Sequence, residues 1–525
     1  MRWLPRGRPT GASAMRWDWM RSSHPVAAQI LDAMSQDSGI ADYDYARILA
    51  AVDQASARSS VADALSDELV RSGPGAALHP SGLRTLPGTR LATHNMLTGQ
   101  VRLGRIVTTD GLPPDPPAAF DADLDTLRTS LLAVGPPRSG KTRGIAMPIV
   151  EHLSMTALTH GASLVVVDSQ AQFDRDGWFD VTIDPLNPTH GISLFGGAAP
   201  DIAADRLASA LLPPRSGDDT AFVDAAANAL YGCLAPYVEG FGSWPTVREL
   251  LALLRAERSA TDAVRERLQG PDANQWRDLL DSRKAQVEGN DPATGLVERV
   301  ARLDRPALRR IFDADTTFDM RDINGPVRVR VVLPETDYPD AARILARLVV
   351  SQFVQIATSA GADRRVFKAL VVDGAGGCVD SYVANSVRRL RPNNAGLMLF
   401  ARSMSDFEAD VGATISRAVG SKAVFGGVDP ADARMFAQWF GDDVEAAGDD
   451  PQPRPDADDD SDERPRVVGP FGARRRPAPK RPTTRTGPAR WTSSDIAGVP
   501  NGHCVIALMR SNGFRTGPVL VNLQD

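Results

Sequence analysis

The spacing of apolar residues predicts helices near the start of the chain. Between residues 25 and 72, apolar side chains recur every three or four positions, as on the buried face of a helix. Three such stripes contain Val26, Ile30, Leu31 and Met34; Tyr45, Ile48, Leu49 and Val52; and Val61, Leu65, Leu69 and Val70. The turn sequence Ser72-Gly73-Pro74-Gly75 ends the pattern. We therefore expect a small helical N-terminal module over residues 25–90.

Apolar runs, most of them continuous, predict strands in the rest of the chain. Helix-length segments separate many of them, as in a doubly wound α/β domain whose mostly parallel sheet is covered on both faces. The runs are residues 101–107, 131–134, 162–168, 181–184, 327–334, 367–373, 396–401, 421–426, 502–508 and 518–521. In such a domain, ligands bind at the carboxyl ends of the strands.

Segments without strand signals divide this α/β domain. Residues 201–325 show helical stripes, which predict an all-α insertion between a first part (91–200) and a second part (326–441). Residues 442–490 are acidic and then basic and proline-rich, so we expect a disordered insertion before closing strands in 491–525. Residues 1–24 are basic and rich in tryptophan, and we expect a disordered tail.

Composition removes several classes of protein. The apolar fraction of 42% is that of a globular chain, and a net charge of −6 excludes a uniformly basic surface, although not a local basic channel. Three dispersed cysteines and seven unclustered histidines form no zinc-ligand spacing, and the cysteines are expected to be reduced thiols. Neither a secretory signal nor a transmembrane run of about 18 apolar residues is found.

One predicted strand opens a complete phosphate-binding pattern. The run 131–134 stops at Gly135, and Gly140-Lys141-Thr142 begins a helical stretch that we expect Pro148 to kink. This order satisfies G-x-x-x-x-G-K-[ST], in which backbone N–H groups and Lys141 hold phosphates and the Thr142 hydroxyl can ligate Mg2+. The predicted nucleotide-binding residues are Gly135, Pro136, Pro137, Arg138, Ser139, Gly140, Lys141, Thr142 and Arg143.

A phosphate loop needs an acid at the end of a neighbouring strand to hold Mg2+, directly or through water. Two predicted strands end in aspartate, Asp168 and Asp373. The apolar run before Asp373 favours this residue, and Asp168 stays open as the alternative. Either acid could instead only cap the turn that follows it.

The residue after Asp373 departs from the usual ATPase pattern. A glutamate that polarises the attacking water is expected there, but the chain has Gly374, and no carboxylate follows until Asp380. Three explanations are open: another acid supplies the function, hydrolysis is slow, or the site binds nucleotide without turnover.

The order of these segments resembles the TraG/TraD-like coupling proteins of conjugative type IV secretion, which are hexameric DNA pumps related to the FtsK and HerA motors. The resemblance runs from residue 102 to the end of the chain. It implies a RecA-like P-loop NTPase domain with an inserted all-α domain, in which Lys141, Thr142 and Asp373 match the phosphate and Mg2+ positions. Its segments are residues 135–142 (GPPRSGKT), 164–170 (LVVVDSQ), 184–188 (DPLNP), 331–337 (VVLPETD), 369–374 (ALVVDG) and 493–508 (SSDIAGVPNGHCVIAL).

The resemblance also implies catalytic roles for two arginines. In the family, an arginine of the helix after the second motif acts across the subunit boundary, and Arg391 is the match. Arg388 and Arg389 are alternatives, and all three could be a solvated helix face. Arg402 stands where the family has a glutamine that senses the γ-phosphate, so it either contacts phosphate or marks a degenerate site.

We therefore expect an ATP-driven DNA-translocating or coupling ATPase of a conjugative or type IV secretion system, using ATP and Mg2+ in a homo-oligomeric ring. Its expected partners are DNA or nucleoprotein and membrane-anchored secretion-channel components. The family's membrane-spanning N-terminal helices have no match, so we expect a cytoplasmic protein, held at the inner face of the membrane through a partner or fully soluble. The alternative is a nucleotide-binding scaffold with weak or no hydrolysis. A phosphate-loop kinase is least favoured because no acceptor-substrate site is visible.

Overall fold

A large mixed sheet forms the centre of the protein. The computed structural model describes residues 16–37, 39–107, 118–212, 220–441 and 491–523. The strands in these ranges are β1 (His94–Asn95), β2 (Gln100–Val107), β3 (Ala119–Asp123), β4 (Leu131–Val134), β5 (Ala162–Asp168), β6 (Val181–Ile183), β7 (Gly191–Ile192), β8 (Thr317–Phe318), β9 (Arg328–Val332), β10 (Phe367–Asp373), β11 (Ala395–Ala401), β12 (Ser421–Phe425), β13 (His503–Ala507) and β14 (Val519–Asn522). Twelve of them form one sheet in the order β1-β2-β14-β13-β12-β4-β11-β10-β5-β9-β6, with β3 on β2.

The part of this sheet from β12 to β6 is parallel throughout. Every residue of β4, β5, β10, β11 and β12 is buried, which explains the uninterrupted apolar runs in the sequence. Alternate side chains enter separate cores on the two faces, for example Leu132 on one face and Leu131 on the other. The mostly parallel α/β class predicted from these runs is therefore confirmed.

The other part of the sheet is antiparallel. β13 and β14 extend it from β12, and β2 continues it with β1 and β3. β3 is absent from the predicted strands because it carries two acids, Asp121 and Asp123, but both are buried. The Asp121 carboxylate forms an ion pair with Arg102 of β2, whose Nε lies 3.4 Å away. The proline-rich residues 112–117 that precede β3 lie outside the described residues.

Helices cover both faces of the sheet and continue beyond it. They are α1 (Met20–Ser23), α2 (Pro25–Gln36), α3 (Asp42–Ala55), α4 (Ser59–Ser72), α5 (Leu124–Leu127), α6 (Met147–Leu158), α7 (Pro200–Leu211), α8 (Thr220–Phe241), α9 (Val247–Leu254), α10 (Arg258–Arg267), α11 (Ala273–Glu288), α12 (Thr294–Leu303), α13 (Pro306–Phe312), α14 (Pro339–Thr358), α15 (Ser381–Leu390), α16 (Ala409–Ala418), α17 (Pro430–Gly441) and α18 (Ser493–Ala497). Short 3-10 turns are Pro74–Ala76, Met320–Asn324, Arg391–Asn393 and Met404–Asp406. The acidic and basic residues 442–490 lie outside the described residues.

The N-terminal helices form a small core of their own. Leu31, Ile48 and Leu69 from the three predicted stripes are buried in it. The prediction of a disordered tail up to residue 24 is wrong for its last part, because Trp17 and Met20 are fully buried in this core. The Trp17 ring N–H also donates a 2.9 Å hydrogen bond to Asp32. Residues 1–15 lie outside the described residues.

The segment between β7 and β8 contains α7 to α13, where helical stripes without strand signals are found in the sequence. β7 and β8 pair in parallel and bring the two ends of this segment together. β8 lies within the stretch that was expected to be all helical; its two residues are too few for a sequence signal. After it, α14 is apolar and long enough to cross a membrane, but 83% of its apolar window is buried inside the protein.

Candidate functional site

The phosphate-loop pattern lies at the carboxyl edge of the parallel strands, between β4 and α6. Gly135 donates its backbone N–H to the Ala401 carbonyl at the end of β11, at 3.2 Å. A Cβ atom on Gly135 would lie 2.6 Å from the Phe425 Cβ, so only glycine fits between these strands. The loop therefore begins at a fixed point against its neighbours.

Two residues of the loop have left-handed backbone conformations. The φ angle is 64° at Arg138 and 103° at Gly140. Left-handed residues beside right-handed ones turn successive N–H groups toward one concavity, which suits an anion. The Ser139 hydroxyl is buried in this loop and has no hydrogen-bond partner among the described residues. An orphaned polar group of this kind is unusual in a native protein and fits a loop shaped for a polar ligand.

The chain after the loop begins with a π-helical turn. Lys141–Ala146 form this turn, and the Met147 N–H bonds to the Thr142 carbonyl before α6 continues. Pro148 explains the change, since proline has no N–H to donate to the carbonyl four residues earlier. The kink expected from the sequence is thus a wider turn, which places the Thr142 side chain half-buried at its start.

The Lys141 side chain folds back over the loop. Its Nζ donates to the carbonyls of Gly135 and Pro136, the second at 2.8 Å. Burial lowers the pKa of Lys141 to about 8, opposed by the negative charge of Asp373 and reinforced by the positive charge of Arg402. The ammonium is therefore held in a partly dehydrated place, where an anion would stabilise it.

Asp373 lies opposite Lys141 at the end of β10. Backbone bonds position it, because the Gly374 N–H donates to the Phe400 carbonyl of β11 at 3.1 Å. Burial and the nearby charge of Asp168 raise the pKa of Asp373 to about 6, although Lys141 favours the ionised form. Among the described residues, Asp373 has no ion-pair partner. It is a buried carboxylate that still lacks a cation, as a metal ligand would be before the metal binds.

Asp168, the alternative acid, is fully engaged in the protein. Its carboxylate accepts hydrogen bonds from the backbone N–H groups of Gln172 and Phe173 at 2.9 and 3.1 Å. It also pairs with Arg330 of β9 at 2.9 Å. The sequence analysis left open that either acid only caps a turn, and this describes Asp168. Asp373 remains available to a ligand.

Matched asparagine substitutions should separate these two acids. Asp168→Asn removes one of the two carboxylates that pair with the buried Arg330 guanidinium, and Asp174 at 2.6 Å remains, so we expect a loss of about 2 kcal/mol in unfolding free energy. Asp373→Asn removes a carboxylate whose pKa of about 6 in the folded chain exceeds its ordinary 3.8. An ionised carboxylate with a raised pKa lowers the unfolding free energy of the protein as the pH rises from 3.8 to about 6, and this cost is fully present at pH 7. The variant should therefore gain about 1–2 kcal/mol in unfolding free energy.

Urea unfolding at pH 7 without nucleotide measures both changes. Mg2+-dependent nucleotide binding should show the reverse order: Asp373→Asn should weaken it, and Asp168→Asn should retain it. Equal destabilisation by both substitutions would assign Asp373 a structural role and contradict this interpretation.

Arg402, predicted at the γ-phosphate sensor position, directly follows β11 on the same edge of the sheet. Its Nε lies 3.7 Å from the Asp406 carboxylate, and its side chain is 70% exposed. The Asp406 carboxylate also accepts the backbone N–H of Arg402 at 3.0 Å, which fixes the turn. Since Arg402 lowers the pKa of Lys141, its charge acts on the same pocket in the same chain.

Arg391, predicted to act across a subunit boundary, lies at the opposite edge of the sheet. It begins the 3-10 turn before β11, whose first residue pairs with Lys368 near the start of β10. A strand of seven residues separates this edge from Asp373, which is about 20 Å. Arg391 is exposed, as is Arg388, while Arg389 donates to the Ser386 hydroxyl at 2.8 Å. Arg391 thus cannot reach the phosphate loop of its own chain.

The residues present fit a Mg2+-bound triphosphate. Mg2+ in such sites is held by one or two protein oxygens together with substrate phosphates and water. The Thr142 hydroxyl and the Asp373 carboxylate can supply these oxygens, and neither has a side-chain partner within the described ranges. No group of three or more His, Cys, Asp or Glu side chains able to hold a metal occurs in the described part of the chain.

Fold and site together define the RecA-like P-loop NTPase fold, with a largely parallel sheet and helical additions. Among solved structures, the chain is similar to the bacterial conjugative coupling protein TrwBΔN70 in its unbound form, with a TM-score of 0.51, 16% identity, and coverage of 77% of this chain and 87% of that one. The plasmid coupling protein TrwB with the GTP analogue GDPNP (14% identity) and with ADP and Mg2+ (16%) each give a TM-score of 0.51 and cover 84% of this chain and 96% of theirs. At these identities the likeness shows the fold. No family model matches the chain, and no curated protein matches its sequence.

Proposed function

We propose that this chain binds ATP with Mg2+ and is a coupling ATPase of a conjugative or type IV secretion system. The observation that carries the proposal is a phosphate loop with Lys141 facing an unpaired Asp373, on a fold similar to TrwB over 84% of the chain. Residues 135–143 would hold the phosphates, and Thr142 and Asp373 would hold Mg2+. The TrwB complexes with ADP and Mg2+ and with GDPNP support nucleotide binding by a protein of this fold.

The proposed work is ATP-driven movement of DNA or nucleoprotein by a homo-oligomeric ring. Arg391 lies about 20 Å from Asp373 of its own chain, so the catalytic role that the resemblance implies for it would require a neighbouring chain, as in a ring. Membrane-anchored secretion-channel components would hold a cytoplasmic ring at the inner face of the membrane. A relation to the FtsK and HerA motors stays a prediction from the sequence.

A scaffold that binds nucleotide with weak or no hydrolysis is the second candidate. The observation that favours it is Gly374, which leaves the position after Asp373 without a carboxylate. Arg402 in the sensor position points the same way, because it replaces a neutral amide with a positive charge. In this case ATP would stabilise a recruiting ring without powering movement.

A turnover assay of the full chain with and without DNA separates the two. The motor proposal predicts Mg2+-dependent release of phosphate that duplex or single-stranded DNA increases several-fold. Heparin is the control polyanion, because a purely electrostatic response would appear with it as well. Saturable ATP binding without turnover under every condition supports the scaffold, and absence of both binding and turnover overturns both candidates.

A further inference from the structure

The amino edge of the parallel strands, opposite the phosphate loop, is rich in arginine. The segments that lead into β4, β10, β11 and β12 lie at this edge, and so does the loop from β13 to β14, because β13 runs antiparallel to β12. Two acids of these segments are already paired: Asp125 with Arg128 at 3.2 Å, and Asp363 with Arg365 at 2.7 Å. Among the described residues, the arginines at this edge that form no ion pair include Arg364, Arg388, Arg389, Arg391 and Arg417. The edge therefore carries an excess of positive charge.

A cleft of about 200 Å³ lies between α15 and α16, whose C-terminal ends lead into β11 and β12. Arg388 and Arg417 line it from the two helices. The other lining residues are small or neutral: Ala384, Asn385, Thr414 and Ala418. The Arg417 Nε donates to the Ala413 carbonyl of its own helix at 3.0 Å, which holds this side chain in place. With two guanidinium groups and no acid among these residues, the cleft suits an anion such as a phosphate group.

An exposed aromatic side chain lies at the same edge. Phe514, in the loop from β13 to β14, is 61% exposed, more than any other large apolar side chain in the described part of the chain. Its backbone is held in a tight turn: its carbonyl accepts the Arg510 N–H at 2.8 Å, and its N–H donates to the Asn512 side chain at 2.9 Å. The Ser511 N–H donates to Asp125 at 3.2 Å, which ties this loop to the segment before β4. A ring presented to solvent from a fixed backbone is suited to stacking on a planar ligand.

Hydrogen bonds place the loop of Phe514 directly beside the segment between α16 and β12. The Met509 N–H donates to the Ser421 hydroxyl at 3.0 Å, and the Met509 carbonyl accepts the Thr129 hydroxyl at 3.0 Å. Ser421 is the first residue of β12, and Arg417 lies in the last turn of α16 just before it. Neighbouring strands are about 4.8 Å apart, so the edge from β11 across β4 and β12 to β13 is about 15 Å long. A few nucleotides of a single strand can cover this length and offer both phosphates and bases.

We propose that the surface formed by Arg388, Arg417 and Phe514 is where the chain contacts a single strand of DNA, an inference that rests on the proposed movement of DNA. The two arginines hold a backbone phosphate in the cleft, and the Phe514 ring stacks on a base. Stacking needs a base that is not paired, so a single strand fits better than a duplex. Arg391, proposed for the site of a neighbour, does not line the cleft and is not part of this surface.

A second copy of the chain is the competing occupant, because its acids would also pair with the arginines. The core of a protein–protein interface is enriched in apolar side chains, however. Next to Phe514 in its loop are Asn512, Gly513 and Arg515, which offer no apolar patch around the ring. A nucleic-acid strand, which carries phosphates and bases side by side, matches both the arginines and the isolated aromatic ring.

The test is fluorescence anisotropy of a labelled oligothymidylate on the full chain, without nucleotide and at several salt concentrations. On a single strand, the logarithm of the affinity falls with the logarithm of the salt concentration by about 0.7 per phosphate contact. Arg388→Gln combined with Arg417→Gln should therefore make this slope less steep by about 0.7. Phe514→Ala should weaken binding by about 10-fold at every salt concentration and leave the slope unchanged, because stacking is not an interaction between charges. Arg434→Gln on α17 and Leu186→Ala after β6 alter exposed residues elsewhere, and these matched controls should bind as the unaltered chain does.

Binding of a fluorescent ATP analogue is measured on the same proteins. The variants should retain it, because their substitutions lie at the edge away from the phosphate loop, and this shows that they are folded. Both effects on the oligonucleotide are required, so an unchanged slope in the arginine variant or unchanged affinity in Phe514→Ala overturns the proposal while the proposed function stands. Loss of ring assembly in mass photometry with unchanged oligonucleotide binding assigns the surface to a second copy and also overturns it. A chain that binds no oligonucleotide overturns the proposal as well, whereas binding of the ATP analogue decides separately on the proposed nucleotide site.

Discussion

Lys141→Ala should abolish ATP turnover and weaken binding of ATP by about 10–100-fold. A hydrogen bond from a charged donor contributes about 1.5–3 kcal/mol, and each 1.4 kcal/mol is a factor of ten in affinity. Lys141 is 8% exposed and donates to two loop carbonyls, and a triphosphate would replace these carbonyls as the acceptor of its ammonium. Turnover should suffer more than affinity, since negative charge shifts toward the β–γ bridging oxygen in the transition state, where a lysine at the outer phosphates can stabilise it.

The fold should survive this substitution. The folded pKa of Lys141, about 8, lies below its ordinary value of 10.5, so the buried ammonium costs stability below pH 8 and this cost falls as the pH rises through that window. Removing it should leave the urea midpoint at pH 7 unchanged or higher. Lys284→Ala, at an exposed pair of α11, is the control for loss of a lysine. Full turnover by Lys141→Ala would disprove the phosphate-loop assignment.

Arg391→Ala should remove turnover while nucleotide binding remains. The physical reason is position: Arg391 lies on the edge of the sheet away from its own phosphate loop, so only a neighbouring chain can place it at a γ-phosphate. An arginine supplied in this way is worth about 10³–10⁵ in turnover in other phosphate-loop NTPases. The loss should therefore be nearly complete although the binding residues are intact.

Mixing the two inactive variants gives the sharpest form of this prediction. A Lys141→Ala chain still carries Arg391, and an Arg391→Ala chain still carries a complete phosphate loop. In mixed rings, some sites contain the intact phosphate loop of an Arg391→Ala chain and the intact Arg391 of a neighbouring Lys141→Ala chain. Turnover should therefore reappear on mixing and should require exchange of subunits. Arg434→Ala, at an exposed residue of α17, is the control. A mixture as inactive as its components, with subunit exchange shown independently, would contradict a role for Arg391 in a neighbour's site.

The sequence was sufficient for the parallel strands and for the phosphate loop. Buried parallel strands are apolar along their whole length, so β4, β5, β10 and β11 are legible as runs, and the loop between β4 and α6 has a fixed pattern of residue types. The mostly parallel fold class followed from these two signals. The roles of Lys141, Thr142, Asp373, Arg391 and Arg402 stay predictions that the experiments above address.

Other features depend on contacts between distant residues and have no local signal. Arg330, which pairs with Asp168, is 162 positions away in the chain. The sequence alone therefore could not show which of the two acids, Asp168 or Asp373, is available to a ligand. β3 contains Asp121 and Asp123, which are residues typical of a loop, and their burial depends on packing against other parts of the sheet. The left-handed backbone of Gly374, with a φ of 76°, likewise has no local signal in the sequence.

Equilibrium binding of a fluorescent, non-hydrolysable ATP analogue to the full chain, with Mg2+ present and unlabelled ATP as competitor, tests the central claim most directly. The account predicts saturable binding with one site per chain, displaced by ATP and weakened when EDTA removes Mg2+. Fluorescence that does not saturate, or that ATP does not reverse, would contradict it.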